Sequence, residues 1–538
     1  MKKLVSRFMA VLMAMTMILS MSMTAFAAEA SKGTLTVNNT VAEKTLDLYQ
    51  IFTATKNGDN VAYTLNSAYE GFFKNNTRIP GSESLTGEAL SEKAYEYVKT
   101  QVGEDGKNGT GFAKEILGWI LANADTVAAT HTIVTTTANT TVIRDLAYGY
   151  YVVYPLGATD TSAAPGEQDY TSVASLVSVT GDTSINMKSN YPTVVKKVND
   201  KTADDVNIGD TVTYTLTSKV PDMTGYTSYV FNFKDTLSAG LTFKEITSVT
   251  VGETTITKVD AGQEANDTYT LTQTGQNITI TMNNFLASNA NKVGQEIKVT
   301  YTVTLNKDAV TGFDANKNSA TVEYSNKPGT DNKGESEPSI VDVHTFDFTI
   351  FKYYLKDETQ TGLANAEFEL YKANEAGDAA DTNAKINIVD EGNGVYRQAT
   401  ADEAKATGFT SAKIVSDADG KVLVKGLDAG TYYLRETKAP EGYNKLLSDI
   451  KVEIKPVYDE TTGKLTSYSV DYTYNGKTTN GAAITNKTDS PEVAVENKTG
   501  AQLPSTGSKG ALMVTLAGIV LFGVLTASKA FGKKKANN

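Results

Sequence analysis

The chain has 538 residues, 50 Lys+Arg against 62 Asp+Glu, a formal net charge of −12 and no cysteine. So acidic a chain is poorly suited to bind nucleic acid or an anionic membrane surface. Without cysteine, neither a disulfide nor a thioester can reinforce it.

The first segment, MKKLVSRFMAVLMAMTMILSMSMTAFA, places Lys2, Lys3 and Arg7 before an apolar run that ends in the small residues Ala25 and Ala27. This is the layout of a secretory signal peptide, so residues 1–27 are expected to be removed and the chain exported. Residues 28–187 are read as an N-terminal β domain with strands at TLTV, LDLYQIF and GYYVVYPL. A helical insertion interrupts them. GFAKEILGWILANAD spaces Phe112, Ile116, Leu117, Trp119, Ile120 and Leu121 on a helical stripe, and SEKAYEYVKTQV before it is also helix-like. Trp119, the only tryptophan, is assigned to the core.

A junction follows at SINMKSNYPTVVKKVND, residues 184–200, where Lys188, Lys196 and Lys197 surround Tyr191-Pro192. Residues 188–340 are read as a middle β-sandwich. In QEIKVTYTVTL, Ile297, Val299, Tyr301, Val303 and Leu305 share one face while Lys298, Thr300, Thr302 and Thr304 share the other, the alternation of a half-buried strand. Residues 341–491 are read as a C-terminal β-sandwich punctuated by the turns DADG (417–420), LDAG (427–430) and NGK (475–477). DADG lacks the rest of a calcium loop and is assigned to a hairpin. The fold class is therefore mainly β, with tandem immunoglobulin-like sandwiches.

Polar residues interrupt the buried faces of these strands in a repeated pattern. FDFTIFKYY runs Phe346, Phe348, Ile350, Lys352; TYYLRET runs Tyr432, Leu434, Glu436; AAITNK runs Ala482, Ile484, Asn486. In the middle domain Lys196 falls between Val194 and Val198, Asp235 follows Phe231 and Phe233, and Asn318 precedes Ala320, Val322 and Tyr324. Each lysine is on the first predicted strand of its domain and each asparagine on the last. A single such residue reads as a solvated strand end or one buried ion pair. Burying an unpaired lysine costs several kcal/mol, so two matching trios imply a shared purpose. In an apolar pocket desolvation lowers a lysine's pKa and raises a carboxylic acid's. A neutral amine can then attack the asparagine Cγ while the acid polarises Oδ and shuttles protons as ammonia leaves, forming a Lys–Asn isopeptide bond.

The chain closes with a linker from 492, then Leu503, Pro504, Ser505, Thr506 and Gly507, eighteen uncharged residues at 511–528, and Lys529, Lys533, Lys534 and Lys535. Eighteen residues just suffice to span a bilayer, with the lysines on the cytoplasmic side. The pentapeptide with its apolar span and basic tail resembles the sorting signal of Gram-positive surface proteins, which sortases cut between Thr and Gly. Removing both ends leaves residues 28–506 with a formal charge of −20, enough chain for about three domains.

SDADGKVLVKGLDAGTYYLRETKAPEGY resembles the B-type repeat of Gram-positive collagen adhesins, and LRETKAPEGY within it is similar to the E-box of sortase-assembled pilins. FKDTLSAGLTF with NSATVEY is similar to the central domain of pilus backbone subunits. The resemblance covers the whole precursor, most closely residues 190–538. It implies two isopeptide triads, Lys352, Asn486, Glu436 and Lys196, Asn318, Asp235, in a major pilin on the cell wall. It also implies that a pilus-type (class C) sortase joins Thr506 to a lysine of the next subunit, with a housekeeping sortase, peptidoglycan, minor pilins and a host surface ligand as further partners. The family's acceptor lysine follows Tyr-Pro, whereas here Thr193 stands in that place. Lys188, in an accessible connector, is the expected nucleophile, with Lys197 as the alternative. The competing reading is a monomeric wall-anchored adhesin that uses the same domains as a stalk. His131 and His344 are isolated, no phosphate-binding glycine loop is present and no cofactor is expected, so the reading is of a structural protein without turnover activity.

Overall fold

The structure, a computed structural model, describes residues 31–103, 108–136, 139–159, 173–187 and 190–499. Three β-sandwiches follow one another along the chain.

In the N-terminal domain, strand Lys32–Asn38 lies between Thr140–Ala147 and Thr183–Asn186. A second sheet has Thr45–Asn57 and Gly149–Pro155 at its centre. Strand Gly149–Pro155 is an almost unbroken apolar run because both of its faces are covered. Tyr151 and Val153 point between the sheets with Leu35, Val37, Leu46 and Leu48, whereas Val152 and Tyr154 join a separate core. The helices Gly87–Val102 and Gly109–Ala122 supply that second core with Leu90, Ala94, Val98, Phe112, Ile116 and Ile120. Trp119 packs half-buried at its edge against Tyr69 and Phe72, with ring centroids 6.4 and 5.7 Å away.

The middle domain sets a five-stranded sheet, with Val195–Val198 at its edge beside Thr211–Lys219 and then Glu296–Leu305, against an eight-stranded sheet. In the eight-stranded sheet Phe231–Leu237 pairs with Asn316–Ser325, which pairs in turn with Ser339–His344. The C-terminal domain places Phe346–Lys356 between Lys421–Leu427, antiparallel, and Glu492–Glu496, parallel. Its second sheet contains Glu367–Ala373, Gly430–Lys438 and Ile450–Tyr458.

Two expected boundaries and one strand assignment change. The division at 340/341 falls inside Ser339–His344, whose Val341 and Val343 fill the middle core, so only Thr345 separates the two sandwiches. The linker expected from 492 begins as a strand of the C-terminal domain, because Val493 and Val495 alternate into its core. Asn318 is not on the last strand of the middle domain, since Ser339–His344 follows it.

The middle and C-terminal sandwiches also touch laterally. The Tyr458 hydroxyl donates to Asp205 Oδ2 at 2.6 Å, Ala429 N–H to Asp205 Oδ1 at 3.1 Å, and Asp428 N–H to Asn207 Oδ1 at 3.1 Å. Between the N-terminal and middle domains, Lys44 Nζ donates to the Tyr324 hydroxyl at 3.2 Å and sits 4.9 Å from the Tyr191 ring centroid. The tyrosine of the junction thus wedges the two domains together.

Gly420, last residue of DADG, fixes the strand that carries Lys352. Its φ is +76°, its carbonyl accepts from Lys352 N–H at 2.7 Å, and an added Cβ would lie 2.1 Å from Lys352 O. Gly420→Ala is therefore expected to cost about 2 kcal/mol or more, read as a lower denaturant midpoint of the C-terminal domain. An unchanged midpoint would contradict this close approach.

Candidate functional site

Strand alternation aims Lys196 inward: Val194, Lys196 and Val198 are buried while Val195 and Lys197 are exposed. Lys196 crosses from the edge of its sheet to Asp235 on the opposite sheet, with which it forms an ion pair whose two side chains are almost wholly excluded from solvent. Asp235 pairs with Ala320 across the ladder and Asn318 with Leu237, so the two polar side chains are diagonal neighbours on one face. Asn318 is completely buried. Tyr301, on Glu296–Leu305, completes the group. Its hydroxyl accepts from Lys196 Nζ at 2.5 Å and from Asn318 Nδ2 at 3.0 Å, and donates to Asp235 Oδ2 at 2.7 Å. Asp235 Oδ1 and Asn318 Oδ1 are buried and accept no hydrogen bond.

The electrostatics follow from burial. Desolvation pushes Lys196 down to about 8, against Asp235, which works to keep the amine charged. Burial, reinforced by Asp235, holds the Tyr301 phenol well above its ordinary range, so it keeps its proton.

The C-terminal domain builds a second site on the same plan. Lys352 is fully buried, and its Nζ lies 3.0 Å from Glu436 Oε1. The same amine hydrogen-bonds Asn497 Oδ1, and Asn497 Nδ2 donates to Glu436 Oε1 at 3.1 Å. Glu436 Oε2 is held by the Leu446 N–H at 2.7 Å. Burial pushes Lys352 down to about 8, opposed first by Glu436.

The expected member Asn486 is not there. It is exposed, and its side chain bonds Asp489 and Thr488 in a local turn. AAITNK is not a strand; within it Ile484 alone is buried, making an isolated bridge to Tyr468. Asn497 takes the place because Glu492–Glu496 runs parallel to Phe346–Lys356, pairing Val495 with Lys352. Asn497 is the next inward residue of the series Val493, Val495, Asn497, an alternation that was available to find it. Tyr301 is one more residue of the apolar face in its strand's alternation, and no signal in that strand distinguishes it.

Each site therefore gathers a buried amine, a carboxyl group and a carboxamide. No lysine among the described residues of the N-terminal domain is buried, and those residues hold no similar trio. Lys197 is exposed on its edge strand. Lys188, residues 1–27, the sorting signal at 503–507 and the apolar stretch at 511–528 lie outside the described residues. Among those described, no helix is long and apolar enough to cross a membrane and no cluster of potential metal ligands occurs.

Residues 208–328 match the Gram-positive pilin backbone subunit 2, Cna-B-like domain, and residues 350–468 match the SpaA prealbumin-like fold domain. Over 330 residues the chain is 26% identical to the trypsin-resistant surface T6 protein of Streptococcus pyogenes serotype M6, covering 55% of this chain and 51% of that protein. The chain thus spans about half the length of the curated relative it matches. Among solved structures, the T6 backbone pilin of serotype M6 Streptococcus pyogenes is similar at 16% identity and TM-score 0.46, covering 88% of this chain and 100% of that one. The pilus 2b backbone protein of group B streptococcus is similar at 26% identity and TM-score 0.39, covering 58% and 99%. The middle of the chain thus matches a Gram-positive pilin backbone domain, and the segment after it matches a SpaA prealbumin-like domain.

Proposed function

We propose that this chain is the structural backbone subunit of a covalent surface pilus, exported, anchored to the cell wall and stiffened by two autocatalytic Lys–Asn isopeptide bonds. The observation that carries the reading is the pair of buried lysines, each facing a carboxyl group and a carboxamide in an apolar core. The bonds are Lys196–Asn318 and Lys352–Asn497. In each, Nζ attacks Cγ, the Cγ–Nδ2 bond breaks, and a proton passes from the amine to the departing nitrogen, which leaves as ammonia. The carboxyl group takes the proton that an ammonium must lose before it can attack, and ends neutral. The closed loops span 122 and 145 residues. By the chain-entropy model used for disulfides, loops of that size are worth about 5 kcal/mol each.

Polymerisation joins the sorting signal of one subunit to the junction between the first two domains of the next. A class C sortase cleaves after Thr506 and transfers its carbonyl to the Lys188 amine of the next subunit; a housekeeping sortase joins the finished polymer to peptidoglycan. Co-expression with a pilus-type sortase is expected to yield an SDS-resistant ladder that collapses to monomer in Lys188→Arg and persists in Lys197→Arg. The reverse pattern would transfer the role to Lys197. A parent that stays monomeric on the wall would overturn the backbone reading in favour of a stalk-like adhesin.

The lysine environments also set a pH dependence. A folded-state value near 8 and an unfolded value near 10.4 mean that the folded chain binds fewer protons between those limits, so an unlinked buried lysine makes stability rise with pH there. In Asn318→Ala/Asn497→Ala, where both amines stay free, the melting temperature is expected to gain on the linked parent from about pH 8 to about pH 9.5. Parallel curves would contradict free buried amines in the variant.

A further inference from the structure

The two sites differ in how their carboxyl group reaches the amide. In the C-terminal domain one oxygen, Glu436 Oε1, lies 3.0 Å from the amine of Lys352 and 3.1 Å from the Nδ2 of Asn497, so it faces both nitrogens between which a proton must move. In the middle domain the acid is aspartate, one methylene shorter. Asp235 Oδ2 meets Lys196 and Tyr301, Asp235 Oδ1 meets nothing, and neither oxygen bonds Asn318. The group that touches both nitrogens is the Tyr301 hydroxyl, at 2.5 Å from Lys196 Nζ and 3.0 Å from Asn318 Nδ2. Stacking on Tyr214, with centroids 5.4 Å apart and planes 17° from parallel, fixes the ring, and neither residue is more than 1% exposed.

We propose that Tyr301 is a catalytic residue of the middle-domain site, the proton relay that supplies the reach Asp235 lacks. The inference rests on the isopeptide reading above. A proton first passes from the Lys196 ammonium to Asp235, leaving both neutral. The amine then attacks Asn318 Cγ. As the new C–N bond forms, the hydroxyl oxygen takes one proton from Nζ and gives its own to Nδ2; the Cγ–Nδ2 bond breaks and ammonia departs. The products are a secondary amide, ammonia, a neutral Asp235 and an unchanged tyrosine, so protons and electrons balance. A phenol held well above its ordinary range suits this passage, since it never has to exist as a free anion.

The test is Tyr301→Phe in recombinant residues 28–502, which removes one oxygen and keeps the ring. After pulse-labelled expression, the loss of ammonia at each site is followed by intact mass and peptide mapping, with the C-terminal bond of the same molecules as internal reference. General acid–base groups typically contribute about 10²–10⁴-fold, so the Lys196–Asn318 bond is expected to form at least about tenfold more slowly while Lys352–Asn497 keeps its parental rate. A parental rate at both sites overturns the relay. Melting of Asp235→Asn with and without Tyr301→Phe, where neither can link the middle domain, separates chemistry from packing. Equal melting supports the relay, and a large drop makes the slow bond a packing defect and sinks it. A parent that forms no bond at either site would instead remove the isopeptide reading itself.

Discussion

Everything distinctive about this chain depends on a lysine amine held in an apolar core where water cannot reach it. Such an ion pair is a poor source of stability, because desolvating two charges consumes most of what their attraction returns. Lys196 and Lys352 are each surrounded by the aromatic and branched residues that make their sandwiches, so their cost cannot be relieved by moving toward solvent. The proposed conversion to an amide would remove the charge from the amine and leave a neutral carboxyl group beside it. The same burial that makes the unlinked state uncomfortable is what lowers the lysine into a reactive range.

The placement of the two pairs decides how tension would travel. In the C-terminal domain Lys352 faces Asn497 at the end of a parallel neighbouring strand, so with the proposed bond in place a force entering at Phe346 would cross at Lys352 and leave at Asn497. Residues 353–496 would then carry no load. In the middle domain a bond from Lys196 to Asn318 would leave residues 319–344 in the path, held by the antiparallel pairing of Asn316–Ser325 with Ser339–His344 and by the parallel edge strand Ala203–Asp205. The single residue Thr345 and the hydrogen bonds of Asp205 and Asn207 make the next joint short and braced.

Much of this was legible from alternation. Lys196, Lys352, Asp235, Glu436 and Asn318 each interrupt a period-two apolar face, and the structure places all five inside. The insertion helices were legible from their stripe, with Trp119 ending half-buried at the edge of their core. What failed was long-range pairing. Asn486 follows one buried residue in a segment that forms no ladder, whereas Asn497 is brought to Lys352 by a parallel strand that local pattern reads as linker. Tyr301 shows a second limit. Its position on a buried face is plain from sequence, but the hydrogen-bond partners of its hydroxyl come from side chains on three other strands.

Intact mass with cross-link mapping on recombinant residues 28–502, in the parent and in Asp235→Ala, Glu436→Ala, Asn497→Ala and Asn486→Ala, tests the central claim most directly. The account requires a deficit of two ammonias in the parent and in Asn486→Ala, and of one in each of the other three. A parent at its full calculated mass, or a bond that survives Asn497→Ala and is lost in Asn486→Ala, would contradict it.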